Sequence, residues 1–308
     1  MTEIILETDG LTKYFGTKPA VDHLDLKIPR GCICGFVGRN GAGKTTAIKL
    51  MLGLLNPTAG ASRIFGCDSR DLKTSIRQRI GYVTEGHHLY RWMTIGALEK
   101  FQKAFFAGQW DDGLFADMLE YFELGKMQKI KHLSNGQRAQ VSLALALAPN
   151  PELLIMDDPT LGLDAAIRRQ FLEGMIQLIM RQGRTILFSS HILGDVERVS
   201  DRIIVIEKGV LRADCKLDEF RNAVRKVKFS FAETPPDKIE IDGLLHFRRS
   251  ENEIELILVG TDDRKINEWA RAQKTQRHET VQMNLEDQFI EYTAPDNHKK
   301  LFQWEKAV

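Results

Sequence analysis

Ile33-Cys34-Gly35-Phe36-Val37 runs directly into Gly38-Arg39-Asn40-Gly41-Ala42-Gly43-Lys44-Thr45-Thr46. The first five residues are an apolar β run, and residues 45–55 continue with helical periodicity. The junction fits G-x-x-x-x-G-K-[ST], a loop whose backbone N–H groups wrap a phosphate chain. Gly38, Gly41 and Gly43 let the backbone approach closely, with Asn40 and Ala42 between them. The helix start adds its positive dipole end. Lys44 is expected to reach the β- and γ-phosphates, Thr45 to ligate Mg²⁺ and Thr46 to donate to an α-phosphate oxygen.

Leu153-Leu-Ile-Met156-Asp157-Asp158 supplies the second half of such a site. An apolar strand ending in a carboxylate sets that carboxylate beside the phosphate loop of a parallel sheet. Asp157 is expected to hold Mg²⁺ through water, and Asp158 lies where a general base could orient an attacking water. Two aspartates before Pro159 would also suit a plain helix-start turn.

Further apolar runs at 185–189 and 203–207 alternate with helical patterns at Ala165–Met180 and Leu193–Val199. This rhythm predicts an α/β fold with a mostly parallel sheet. Three successive helical patterns at 95–106, 113–122 and 136–147 break it and predict a helical insertion over about 90–148. The α/β part is expected to span 1–220. Strand candidates at 227–231, 244–248 and 254–259, with helices at 264–273 and Leu285–Tyr292, predict a small α+β appendage over 225–293. A loose tail is expected over 294–308.

The 308 residues carry 43 Lys and Arg against 42 Asp and Glu, a net charge of +1. That balance offers no broad basic face, so no nucleic acid is expected as a partner. No stretch approaches the ~18 consecutive apolar residues of a membrane span. The N-terminus lacks a basic region followed by an apolar core and does not read as a signal peptide. Cys32, Cys34, Cys67 and Cys215 match neither zinc nor disulfide spacing, so a reducing cytosol is the expected setting.

Leu133-Ser134-Asn135-Gly136-Gln137 resembles the LSGGQ signature of ATP-binding cassette (ABC) ATPases, and Gln137 lies 20 residues before Asp157, where that family keeps it. Leu161-Gly-Leu-Asp164 resembles the family's D-loop, and His191 in Phe188-Ser-Ser-His191 its switch histidine. Tyr14, in Leu11-Thr-Lys-Tyr14-Phe15-Gly16, resembles the aromatic that stacks on adenine. The resemblance covers about residues 3–220 and looks most like the ATPase subunits of two-component drug and antibiotic exporters.

It implies a P-loop NTPase fold and transport-coupled hydrolysis of ATP with Mg²⁺. It implies two partners, a second copy of the cassette and a separate integral membrane permease, and hence a place on the cytoplasmic face of the cell membrane. In the head-to-tail dimer of that family, the signature of one copy (here Ser134, Asn135, Gly136 and Gln137) faces the phosphate loop of the other. The resemblance assigns catalysis to Lys44, Glu85, Asp158 and His191, and the metal to Thr45, Glu85 and Asp157.

Three positions depart from the family. Asp158 stands where glutamate is usual and is one methylene shorter; a misplacement of ~1 Å can cost on the order of 10²-fold in rate. A homodimer with slow hydrolysis, a heterodimer whose other subunit offers glutamate, and an ATP-binding clamp with negligible turnover all stay open. Glu85, in Gly81-Tyr-Val-Thr-Glu85, replaces the Q-loop glutamine and cannot donate a hydrogen bond while ionised. Asn135 replaces the first signature glycine and tolerates left-handed backbone angles.

Blander readings stand beside these. Ser134-Asn135-Gly136 suits an N-cap and turn, His191 a strand end, and Tyr14 simple packing. Leu89-Tyr-Arg-Trp92-Met93 could line a groove for the membrane partner or pack inside the helical insertion. Leu285-Glu-Asp-Gln-Phe289 resembles a motif near the end of such exporter ATPases and could serve dimerisation or simply stability. His87, His88 and His132 have no comparable context and read as surface or loop residues. A soluble cassette acting on ribosomes or DNA is the rival class; one cassette and no long heptad array speak against it.

Overall fold

Strands covered on both faces are mostly apolar, and two runs here are buried at every residue: Leu153–Met156 and Thr185–Ser190, the second with polar residues only at its ends. They belong to a computed structural model that describes residues 3–106, 108–180, 183–294 and 302–303. The expected tail over 294–308 lies largely outside the described residues.

In chain order the elements begin with β1 (Ile4–Phe15), β2 (Lys18–Pro29), β3 (Ile33–Val37), α1 (Lys44–Met51), β4 (Ala59–Ile64) and β5 (Cys67–Asp68). Next come α2 (Thr74–Arg77), β6 (Ile80–Val83), α3 (Ile95–Lys103), α4 (Asp112–Tyr121), α5 (Asn135–Leu147) and β7 (Leu153–Met156). Then follow α6 (Ala165–Met180), β8 (Thr185–Ser190), α7 (Leu193–Val199), β9 (Arg202–Glu207) and β10 (Val210–Lys216). The last are α8 (Leu217–Ala223), β11 (Val224–Ser230), β12 (Leu244–Arg249), β13 (Glu253–Val259), α9 (Asp263–Ala272), β14 (Arg277–Val281), α10 (Leu285–Tyr292) and the two-residue β15 (Phe302–Gln303).

The strands β9-β3-β8-β7-β6 pair in that order, all parallel. The register sets Val37 opposite Ser190 and Met156 opposite Phe188. The phosphate loop after β3, the two aspartates after β7 and His191 after β8 therefore emerge at one carboxyl edge, where ligands of open α/β sheets bind.

A second sheet, β2-β1-β4-β5, is antiparallel and goes beyond the parallel sheet that the sequence predicts. Helix α1 joins the two sheets. Ala47, Ile48 and Met51 share one core with Leu6, Leu11 and Leu24 of the antiparallel sheet and with Phe36, Leu187 and Ile204 of the parallel one. The insertion is helical, as expected, with α5 packed on α4 and α3.

The chain divides into two units, Met1–Leu211 and Arg212–Val308. In the second, the antiparallel sheet β12-β13-β11-β14 carries α9, whose Ile266 and Trp269 pack on Val227, Phe229 and Leu256. Helix α10 is fastened inside that unit. The Tyr292 hydroxyl donates to the Arg212 carbonyl at 2.7 Å, and Gln288 Nε2 donates to those of Arg221 at 2.7 Å and Val224 at 3.0 Å.

Candidate active site

Packing alone already demands glycine in the phosphate loop. Gly43 precedes α1 at φ +105°, and a Cβ there would sit 2.2 Å from the Ala20 carbonyl oxygen. At Gly38 it would sit 2.5 Å from the Ile206 carbonyl oxygen. The Lys44 ammonium is buried; it donates to the Gly38 carbonyl at 2.9 Å and lies 3.5 Å from Asp158 Oδ2. Before the loop lies a cavity of about 390 Å³, lined by Asn40 to Thr46 together with Glu85 and Asp158 and by Phe15 and Lys18 to Ala20.

Asp157 is 1 % exposed. Its Oδ1 accepts from Thr45 Oγ1 at 3.1 Å and from Ser189 Oγ at 2.9 Å, whereas its Oδ2 is buried without a hydrogen bond. Burial pushes this carboxyl up. The two hydroxyl donors oppose that push, and the nearby charges of Asp158 and Glu85 add to it. A buried carboxylate with one idle oxygen, beside the Thr45 hydroxyl and a cavity bearing Glu85, is an oxygen-donor set that suits a hard divalent cation such as Mg²⁺.

Asp158 is held from several sides. Its N–H donates to Ser189 Oγ at 2.8 Å. Its Oδ1 accepts from the His191 N–H at 3.1 Å and from the ring Nδ1 at 2.9 Å. Ser189 thus receives one hydrogen bond from Asp158 and gives one to Asp157. The sequence reading gives this serine no role; the polar pair Ser189-Ser190 ending an apolar strand is the signal for it.

Other expected site residues stand apart from this cavity. Ser134 Oγ accepts from the Gln137 N–H at 3.1 Å while Gln137 Oε1 accepts from the Ser134 N–H at 3.0 Å, a reciprocal cap on α5. Gly136 is packed so closely that a Cβ would meet Ile167 at 2.5 Å. Asp164 caps α6 through the N–H groups of Ala166 and Ile167. None of these lines the phosphate cavity of its own chain.

Three expectations need correction or refinement. Tyr14 does not line the cavity; its neighbour Phe15 does, because successive strand residues face opposite sides. His87, read as a surface or loop residue, does lie in a loop but not at the surface: it is 4 % exposed, with Nε2 on the Pro159 carbonyl. The aromatic stretch after Glu85 is not core either, since Tyr90 and Trp92 are exposed, Trp92 at 72 %.

A family model for ABC transporters matches residues 21–161. The bacitracin transport ATP-binding protein BcrA of Bacillus licheniformis is 36% identical over 225 residues, spanning 72% of this chain and 73% of that protein. The daunorubicin/doxorubicin resistance ATP-binding protein DrrA of Streptomyces peucetius is 31% identical over 225 residues, spanning 71% and 67%. Among solved structures, an ATP-binding subunit of an ABC transporter superposes with a TM-score of 0.63 at 28% identity, covering 71% of this chain and 92% of that one. A dimeric post-hydrolysis ATP-binding cassette bound to ADP and Pi gives 0.62 at 25% identity, covering 69% and 99%.

Proposed function

The chain belongs to the ABC transporter family as an ATP-binding ATPase cassette of the drug- and antibiotic-export branch, and from that premise we propose that it powers a pore carried on a separate membrane polypeptide. The observation that carries the reading is the convergence of Lys44, Thr45, Glu85 and Asp158 on one cavity, with Asp157 hydrogen-bonded to Thr45.

In this reading the N–H groups from Gly41 to Thr46 receive the phosphate chain of ATP, and Phe15 stacks on the adenine. Lys44 turns from Gly38 and Asp158 to the terminal phosphates. Asp158 Oδ2 then loses its cation while Oδ1 stays fixed by His191, which leaves Oδ2 to orient the attacking water. Thr45, Asp157 and Glu85 would hold Mg²⁺, which when bound offsets charge on the transferring phosphoryl group. Ser189 and Thr45 help Asp157 to stay ionised for that task.

Ser134 to Gln137 and Asp164 serve a second copy of the cassette. The start of α5, with the Gly136 N–H, meets the partner's nucleotide across a dimer interface. Their position away from their own chain's cavity supports this.

The membrane subunit docks on an aromatic patch of Trp92, Tyr90, Phe101 and Phe105, whose rings form a chain in that order at centroid spacings of 6.2, 5.7 and 5.3 Å. Exposed aromatics of this kind anchor a partner's helix. Such a complex places the chain at the cytoplasmic face of the membrane. Relatives named for bacitracin transport and daunorubicin/doxorubicin resistance support export as the direction. Residues 1–220 would form the cassette and 225–293 an accessory domain.

Affinity purification of the tagged chain from detergent-solubilised membranes is expected to bring down a polytopic membrane protein. Trp92→Ala should weaken that capture and leave ATP hydrolysis by the isolated chain unchanged. Recovery of the chain without any membrane protein, or together with ribosomes, would overturn the reading.

A further inference from the structure

His87 lies two residues beyond Glu85 and is buried. Its Nε2 sits 2.9 Å from the Pro159 carbonyl oxygen. A carbonyl only accepts, so Nε2 carries the proton and donates. The ring's other nitrogen, Nδ1, is buried and has no hydrogen-bond partner. Space-filling alone would be served better by an apolar side chain, because an unpaired buried polar atom is destabilising.

The acceptor's position gives that hydrogen bond its meaning. Pro159 directly follows Asp158, whose backbone is left-handed at φ +41°. A β-carbon makes that region unfavourable, and a residue stays there only when its surroundings hold it. Two groups do so from opposite sides: Ser189 Oγ takes the Asp158 N–H, and His87 takes the carbonyl of the next residue. His87 is itself left-handed, at φ +48°, in a turn closed by its N–H on the Thr84 carbonyl at 3.3 Å.

We propose that His87 is a positioning residue for ATP hydrolysis: its Nε2–H holds the Pro159 carbonyl and so keeps the Asp158 carboxylate aimed into the phosphate cavity. The same bond ties the strand end that bears Asp158 to the loop that bears Glu85. This rests on the reading of Asp158 as the carboxylate that orients water.

The test compares His87→Gln with His87→Met in the full chain. Gln places an amide N–H near the position of Nε2; Met has similar length and no donor. Both carry the same backbone cost at positive φ, so their difference reports the hydrogen bond. His87→Met should lose about 10–100-fold in kcat for Mg-ATP. Its KM, and its affinity for a fluorescent ATP analogue, should stay within about 2-fold of wild type. His87→Gln should keep kcat within about 3-fold, and both variants should be fully folded at the assay temperature by thermal melting.

A His87→Met enzyme as fast as wild type would overturn the proposal. So would a His87→Gln enzyme as slow as His87→Met, or a kcat loss matched by lost nucleotide affinity or by unfolding at the assay temperature. If Met does not fold, His87→Ala takes its place against Gln. Asp158→Asn separates the two levels of inference. Wild-type turnover in that variant removes the role of Asp158 and the proposal with it; an inactive Asp158→Asn beside a fully active His87→Met removes only the role of His87.

Discussion

Asp158 shows what a shortened carboxylate does with its reach. Oδ1 is fixed by two donors from His191, and Oδ2 faces the Lys44 ammonium. Every one of these neighbours gives a hydrogen or a positive charge, so the site is built for an anion. An amide there would turn its NH₂ toward a donor or a cation whichever way it flipped. Asp158→Asn should therefore bind ATP, with Lys44 no longer engaged, and lose about 10²–10⁴-fold in kcat. Single-turnover hydrolysis measures this, and size-exclusion chromatography should show an ATP-bound dimer that persists. A loss below about 10-fold would assign the water to another group. At this scale the sequence is informative where the chain itself fixes the geometry: Lys44 and Thr45 follow from loop spacing, and Asp157 from its strand. The Ser189-Ser190 pair marks a polar strand end, but neither its partner nor that of His87 is legible, because these lie 31 and 72 residues away and no local pattern encodes such a pairing. Phe15 lines the cavity and the adjacent Tyr14 does not, because one position on a strand is the opposite face.

The same contrast holds for elements. β3, β7 and the centre of β8, Ile186 to Phe188, stand out in the sequence as apolar runs because both their faces are covered. β1 does not, because register shifts along its pairing interrupt the alternation that marks a one-sided strand; in β2 buried Leu24, Leu26 and Ile28 do alternate with exposed Asp25 and Lys27, a pattern that the sequence reading passes over. At the sheet edge opposite the site, the element starts are fastened by charge. Glu152, just before β7, pairs with Arg79, just before β6, and with Arg30 in the turn between β2 and β3; Arg30 also holds Glu3. The Arg79 hydrogen bond, chiefly, against some burial and with help from Arg30, lowers the Glu152 carboxyl to about 2 from 4.5. A folded-state value below the unfolded one means stability that is fully present above about pH 4.5 and lost as pH falls toward 2. Glu152 is 35 % exposed at its side chain, so solvent screening leaves about 1 kcal/mol or less. Glu152→Gln should thus melt below wild type at neutral pH by at most about 2–4 °C. The gap should close as the pH is lowered from 4.5 toward 2. A gap of equal size at both ends of that range would mean that packing, not charge, is what the glutamate contributes.

At the scale of the molecule, the phosphate loop and the signature segment are each well formed, yet they do not meet within one chain. Ser134 is exposed and spent on capping α5, and the cavity holds no residue of that segment. A self-contained ATPase would have no use for the resemblance at Ser134 to Gln137; a paired one needs it. Two variants decide between these. Lys44→Ala removes the cation of the phosphate loop. Ser134→Asp keeps the cap on α5, since aspartate caps as well as serine, and sets a negative charge where a partner's phosphate would arrive. In a two-fold dimer each composite site takes its loop from one chain and its signature from the other. Each variant alone then has no intact site, although Ser134→Asp keeps its own phosphate loop and binds nucleotide. Mixing them at equal concentration makes half of the dimers mixed, each with one intact site of two, so hydrolysis should recover to about a quarter of wild type. Full activity in Ser134→Asp alone would mean that the site is complete within one chain. Wild-type chain that is inactive alone, and active only with a different cassette, would instead make this chain one half of a heterodimer, with Asp158 the mark of its weaker site.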